Sequence, residues 1–233
     1  MYHKNIISDD AIFIADSHYN KNRKELELLL NQILSNKIKT SQVFFMGDMF
    51  DFLSYEVNYF SKINQNMINL INKLSNKIEI IYFEGNHDFD IQKLFLNIKV
   101  IPRENQYSQF KFNNHNVYLA HGDIYTPIIY NIFTKMLRNR YFLKLLNTLD
   151  INNFISKYFE KKLINKSICH DFDSFEEFSK TRIKSYDIDD NDLIIEGHYH
   201  QGNIFKNYIN IPSLACKNQY MQIINNNFEI KEL

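Results

Sequence analysis

The sequence predicts an α/β fold with a largely parallel central sheet, and three observations carry that prediction. Apolar runs of buried-strand length alternate with amphipathic stretches at helical spacing. A chain of 233 residues is long enough for one sizeable domain with a substantial core. Five of the strand-like runs end abruptly in short clusters of Asp, Asn and His, where an open α/β sheet places its ligands.

Taken in order, Ala11 to Ala15 is an unbroken apolar run that ends at Asp16-Ser17-His18. From Lys24 to Ile38, Leu26, Leu29, Leu30, Ile33, Leu34 and Ile38 fall on one helical face. Gln42 to Met46 is the second strand, ending at Gly47-Asp48-Met49-Phe50-Asp51, and a helix follows over about Tyr59–Leu74. Ile78 to Phe83 leads into Gly85-Asn86-His87-Asp88, and the glycine there allows a sharp turn. This strand–helix alternation is the mark of βαβ units.

Beyond it, Asn116 to Ala120 is a strand closing at His121-Gly122-Asp123, with His115 read as a turn residue. About forty residues without glycine come next, with two helical patterns: Ile128–Leu146, and one set by Ile151, Phe154, Ile155, Tyr158, Phe159 and Leu163. A further helix is expected over Asp173–Tyr186. Asp192 to Glu196 is a strand ending in Gly197-His198-Tyr199-His200, and the tail reads as short antiparallel strands. There is no internal repeat and no linker, so residues 1–233 read as a single domain with a helical insertion at about 124–166.

Composition excludes several function classes. Lys plus Arg equals Asp plus Glu at 27, so no global basic field calls for nucleic acid. Two cysteines, Cys169 and Cys216, make neither a disulfide framework nor a thiolate zinc site, which points to a reducing compartment. The N-terminal residues, with a terminal His3, lack a signal-peptide core, and no apolar run is long enough to span a bilayer. The expectation is a cytoplasmic monomer.

The chemistry lies in the strand ends. Asp-x-His and His-x-His place alternate side chains on one side of an extended segment, so both reach one ion. Carboxylate, imidazole and one amide oxygen, without thiolate, suit Mn, Fe, Zn or Mg. Seven such ligands are too many for one ion and fit two, which at a separation of about 3.5–4 Å clamp both the attacking and the leaving oxygen of a phosphoryl centre.

Asp16-Ser17-His18, Gly47-Asp48-Met49-Phe50-Asp51, Gly85-Asn86-His87-Asp88, His121-Gly122-Asp123 and Gly197-His198-Tyr199-His200 resemble, in order, the motif blocks of the calcineurin-like metallophosphoesterases. The resemblance implies a four-layer α/β/β/α metallophosphoesterase sandwich with a helical lid and two divalent metal ions, Mn2+ foremost and Mg2+, Fe or Zn as alternatives. Asp16, His18, Asp48 and His200 would hold the first ion. Asp48 would bridge to the second, completed by Asn86, His121 and His198. His87 would touch the scissile phosphate, oriented by Asp88, and Asp51 would either support a metal-bound His or cap the next helix.

The insertion narrows the family. From 124 to 166, Lys135, Arg138, Arg140, Lys144, Lys157, Lys161, Lys162 and Lys166 stand against Asp150 and Glu160 alone, with Phe133, Met136, Leu137, Tyr141, Phe142, Phe154, Tyr158 and Phe159 between them. An apolar, basic insertion at this point is similar to that of the UDP-2,3-diacylglucosamine pyrophosphatases of lipid A biosynthesis. The implied substrate is a lipid-linked nucleotide, with the lid on an anionic membrane surface, peripheral to the cytoplasmic face of the inner membrane. The alternatives are a phosphodiesterase or phosphomonoesterase on a soluble nucleotide, phosphoprotein or nucleic acid, with 124–166 a plain helical hairpin. Cys169-His170-Asp171 reads as a loop before a helix, and Arg103, Arg182 and Lys184 as surface charge or contacts to a diphosphate or uridine.

Overall fold

A computed structural model describes residues 5–233, apart from the side chain of Phe133; Met1–Lys4, and His3 with them, lie outside the described residues. Among the described residues the elements run β1 (Ile12–Ile14), α1 (Glu25–Leu34), β2 (Gln42–Phe45), α2 (Asn58–Ile63), α3 (Gln65–Ser75), β3 (Glu79–Phe83), β4 (Lys99–Ile101), β5 (Ser108–Phe112) and β6 (His115–Ala120). They continue with α4 (Ile128–Leu137), α5 (Arg140–Leu149), α6 (Phe154–Ile164), α7 (Phe175–Tyr186), β7 (Leu193–Glu196), β8 (Gln201–Phe205), β9 (Tyr208–Pro212), α8 (Leu214–Lys217), β10 (Gln219–Ile224) and β11 (Asn227–Glu232).

The strands form two sheets, ordered β11-β10-β1-β2-β3-β4 and β5-β6-β7-β9-β8. β1 to β4 pair in parallel, as do β6, β7 and β9, while the remaining pairings are antiparallel. Phe13, Phe44, Ile81 and Phe83 from the first sheet pack against Phe110, Leu119, Ile195 and Ile209 from the second. Phe13 stacks on Phe44 at 4.7 Å between centroids, and Phe110 meets Phe44 edge-on at 5.4 Å. The opposite face of the first sheet, with Ile14, Phe45 and Ile80, is covered by Leu29 and Ile33 of α1 and by Met67 and Ile71 of α3. Ala120, Ile194 and Tyr208 of the second sheet are covered by α7. The layers are therefore α/β/β/α, and burial on both faces explains why the central strands read as unbroken apolar runs.

The sequence reading differs from the structure at the joints. The helix expected over Tyr59–Leu74 breaks at Asn64, which caps both α2 and α3. The helix expected over Ile128–Leu146 breaks after Leu137, because the Asn139 side chain accepts from the N–H groups of Tyr141 and Phe142 and starts α5 afresh. The insertion thus holds three helices, not two. His115 opens β6 and is not a turn residue. The strands β4 and β5, of three and five residues, are additions to the expected elements. Cys169 and Cys216 are joined in a disulfide, contrary to the expectation of unpaired thiols; 47 residues of sequence separate them, and only the fold brings them together. No described helix is long and apolar enough to cross a membrane.

Candidate metal centre

β1, β2, β3, β6 and β7 end at one rim, and each delivers its polar cluster there. The backbone at this rim is held in a costly conformation. Asp16 (φ 49°), His18 (φ 41°), Asp48 (φ 54°), His198 (φ 63°) and His200 (φ 62°) are all left-handed. For residues other than glycine this costs roughly 1–2 kcal/mol each, and such strain gathers where function demands a fixed geometry. The glycines leave room for it. A Cβ on Gly85 would lie 2.1 Å from Asp48 Oδ1, and one on Gly47 2.3 Å from His121 Nδ1.

The structure brings the seven sequence-derived ligands together as two connected groups. Asp16, His18 and His200 form one, with His200 Nε2 at 3.2 Å from Asp16 Oδ1. Asp48, His121 and His198 form the other, with His121 Nε2 at 3.6 Å from Asp48 Oδ2 and 3.1 Å from His198 Nδ1. Asn86 joins the second group through Oδ1, 3.3 Å from His121 Nε2. Asp48 also clusters with His18 and His87, so it lies between the two groups.

Their orientation is set from behind. His121 Nδ1 donates to the Met46 carbonyl at 2.8 Å, leaving Nε2 as a lone pair turned inward. The His198 N–H donates to Asp16 Oδ2, and the His87 N–H to Asp48 Oδ1, both at 2.8 Å. His87 Nδ1 donates to the Asp51 carbonyl at 2.6 Å. Asp88 does not orient that ring, as the sequence reading had it. Its carboxylate accepts from the N–H groups of Asp48, Met49 and Gly85 and from the Tyr82 hydroxyl, tying the second and third strand ends together. Asp51 starts no helix, since α2 begins at Asn58. Its carboxylate is gripped by Arg23 at 2.6 and 2.7 Å and stands 3.6 Å from His18 Nδ1.

The donor set fits divalent cations on the structure's own terms. Asp16 Oδ1 and His18 Nδ1 are buried without a hydrogen-bond partner, a cost that a cation would remove. His121 and His198 turn basic nitrogens towards each other. Burial opposes protonation of His121, but Asp48, Asp16 and Asp123 outweigh it and push its pKa to about 9, so a cation would take the place of the proton on Nε2. Burial and then His121 push His198 down to about 4. His18 is lowered well below its ordinary value, first by burial and then by His87 and His200. Both cysteines are held in the disulfide, leaving carboxylate, imidazole and amide oxygen as the donors.

Charged residues that no local sequence pattern places frame this centre. Arg103 Nε donates to Asp123 Oδ2 at 2.7 Å. Arg182 is buried, bonded to Glu196 and to the carbonyls of Gly122 and Ile124, so it supports the His121 loop and is not surface charge. Arg138, read only as one of the insertion's cations, reaches the Gly85 carbonyl. The insertion rests on the rim through Phe159, which packs edge-on against Phe52 at 5.5 Å, and through Leu143, clustered with Phe60 and Phe89.

Residues 11–202 match the calcineurin-like phosphoesterase family. Among solved structures the chain is similar to Yfce, a phosphoesterase from E. coli, with a TM-score of 0.51 and 13% identity over 96% of this chain and 92% of that one. It is also similar to a dimetal phosphatase from Danio rerio, with a TM-score of 0.47 and 13% identity over 95% of each chain. At these identities the likeness is one of fold. No curated protein matches the chain.

Proposed function

The chain belongs to the calcineurin-like phosphoesterase family, and from that premise we propose that it cleaves the pyrophosphate bond of UDP-2,3-diacylglucosamine, releasing UMP and 2,3-diacylglucosamine 1-phosphate. That it is a metal-dependent phosphoester hydrolase follows from the family and from the candidate ligand clusters. The choice of a lipid substrate rests on the outer surface of α4 to α6. Ile128, Ile129 and Ile132 of α4, Tyr141 of α5, and Phe154 and Tyr158 of α6 are all exposed, Ile129 by 83% and Phe154 by 76%. A water-facing hairpin would carry polar residues there, and so many exposed apolar side chains on one insertion favour contact with lipid or a partner. On this reading the acyl chains would run from the metal centre to the insertion, which packs on the rim.

Two divalent ions, Mn2+ in this proposal, would supply charge neutralisation on the phosphoryl oxygens. Asp16, His18, Asp48 and His200 would hold one, and Asp48, Asn86, His121 and His198 the other. His87, fixed through Nδ1, keeps Nε2 for the phosphate and the leaving oxygen. The basic, apolar insertion would seat the enzyme on an anionic membrane surface.

The test is UMP release from UDP-2,3-diacylglucosamine by Mn2+-loaded protein. Wild type should outpace Asp48→Ala by at least about 10²-fold, and equal rates would end the lipid-nucleotide reading. One observation favours a soluble substrate: every candidate ligand comes from a strand end and none from the insertion, so the centre is complete without a lid. On that reading bis(p-nitrophenyl) phosphate is turned over well while the lipid nucleotide is not.

A further inference from the structure

Arg138 occupies an unusual position for a residue of the insertion. It lies at the C-terminal end of α4, yet its side chain is only 14% exposed and turns inward to the rim. One terminal nitrogen donates to the carbonyl of Gly85, the residue before Asn86, and lies 3.3 Å from Asp123 Oδ2, two residues beyond His121. The guanidinium also lies over the Phe89 ring, 5.4 Å from its centroid. Its Nε is buried and has no hydrogen-bond partner. An unmade bond from a buried guanidinium is expensive, and an acceptor arriving with the substrate would complete it.

The charge balance points the same way. Asp123 already has a close cation in Arg103 at 2.7 Å, so Arg138 is a second positive charge on one carboxylate. Two guanidinium groups on one carboxylate, one of them with a spare donor, thus stand next to the ligands of the second group, which suits a phosphate oxygen.

We propose that Arg138 is a substrate-recognition residue whose guanidinium binds the phosphate of a diphosphate that is not being attacked, beside the one held at the metal centre. The insertion then does more than cover the site: it reads whether the substrate carries one phosphate or two. This rests on the diphosphate reading above, though not on the lipid or the nucleoside.

The experiment compares Mn2+-loaded wild type, Arg138→Gln and Arg138→Lys for binding of inorganic pyrophosphate and orthophosphate by calorimetry. Hydrolysis of UDP-2,3-diacylglucosamine and of bis(p-nitrophenyl) phosphate is followed alongside. Arg138→Gln should weaken pyrophosphate at least 10-fold with orthophosphate changed less than 2-fold, and should raise KM for the diphosphate substrate selectively. Arg138→Lys, which keeps the charge without the planar fork, should fall between. A strut that merely fastens α4 would leave the ratio of the two anions unchanged, and an unchanged ratio in either variant overturns the proposal. If Arg138→Gln does not fold, the ratio measured on Arg138→Lys decides. Wild type that fails to release UMP while Arg138→Gln still loses pyrophosphate selectively would discard the lipid-nucleotide substrate and keep the diphosphate site.

Discussion

At the scale of single residues, the centre depends on groups that are not themselves ligands. Asp51 is the best placed of these, with its carbonyl on His87, its carboxylate 3.6 Å from His18 and its charge matched by Arg23. Asp51→Asn keeps the carbonyl and removes the charge, so activity or metal affinity should fall by roughly 10–100-fold; assays across a Mn2+ titration will show it, and an unchanged rate would make Asp51 a bystander. Glu84 allows a test by pH. Burial raises its carboxyl from 4.5 to about 7, against the Ile91 N–H and Arg138. The folded protein then holds this proton more tightly than the unfolded chain. The resulting stabilisation is complete below pH 4.5 and is lost as pH rises towards 7, by up to about 3 kcal/mol. Glu84→Gln should flatten stability over that window, read by urea unfolding of metal-free protein at pH 5 and pH 8, and an equal slope in both proteins would refute the assignment. The ligands were legible in the sequence because each follows a strand within a few residues, two pairs of them in Asp-x-His and His-x-His spacing. The tethers were not: Asp51 to His87 and Asp88 to Asp48 join segments about forty residues apart, and no local pattern records that.

At the scale of elements, the insertion is where sequence and structure part most usefully. Counting charges gave eight cations facing a membrane. In the fold Arg138 turns to the metal rim, while Arg140 and Lys144 lie 3.6 and 3.7 Å from the buried carboxylate of Glu56 and fasten α5. Lys135, Lys157, Lys161, Lys162 and Lys166 remain exposed. If the insertion rests on an anionic surface as proposed, these five would contribute about 1 kcal/mol each to reversible association, with the exposed apolar side chains adding to it. Ile129→Asp together with Phe154→Asp should therefore abolish cosedimentation with vesicles containing phosphatidylglycerol. The same change should leave bis(p-nitrophenyl) phosphate hydrolysis within about 2-fold, because neither side chain packs on the core and exposed substitutions cost little. Full retention on vesicles would mean that the apolar face serves something else. Helical periodicity located these helices correctly, but it could not see the breaks at Asn64 and Asn139. An Asn within an amphipathic stretch looks like a tolerated polar position, although at Asn139 its side chain caps α5 and at Asn64 it reaches towards the Phe52 carbonyl.

At the scale of the whole molecule, the apolar runs carried the parallel strands of β1 to β3 and the rim they share, while the division into two sheets was legible only through the family resemblance, whose α/β/β/α layering the structure shows. That division depends on β10 pairing with β1 and on β9 pairing with β7, contacts set by tertiary packing and not by any run of residues. The Cys169–Cys216 bond belongs to the same category. It ties the segment between α6 and α7 to α8, with Cys216 Sγ 3.7 Å from His200 Nδ1, so it crosses from the end of the insertion to the edge of the metal centre. Closing a loop with a sequence separation of 47 restricts the unfolded chain and should be worth roughly 2–4 kcal/mol. Urea unfolding of the wild type should therefore shift to lower concentration when dithiothreitol is present. The Cys169→Ser, Cys216→Ser double variant should start at that lower midpoint and ignore the reductant. Because the free thiols would leave the segment around His170 less restrained, amide exchange there should speed up while the inter-sheet core around Phe44 and Leu119 stays protected. A wild-type midpoint indifferent to reductant would mean that noncovalent packing alone holds this segment against His200.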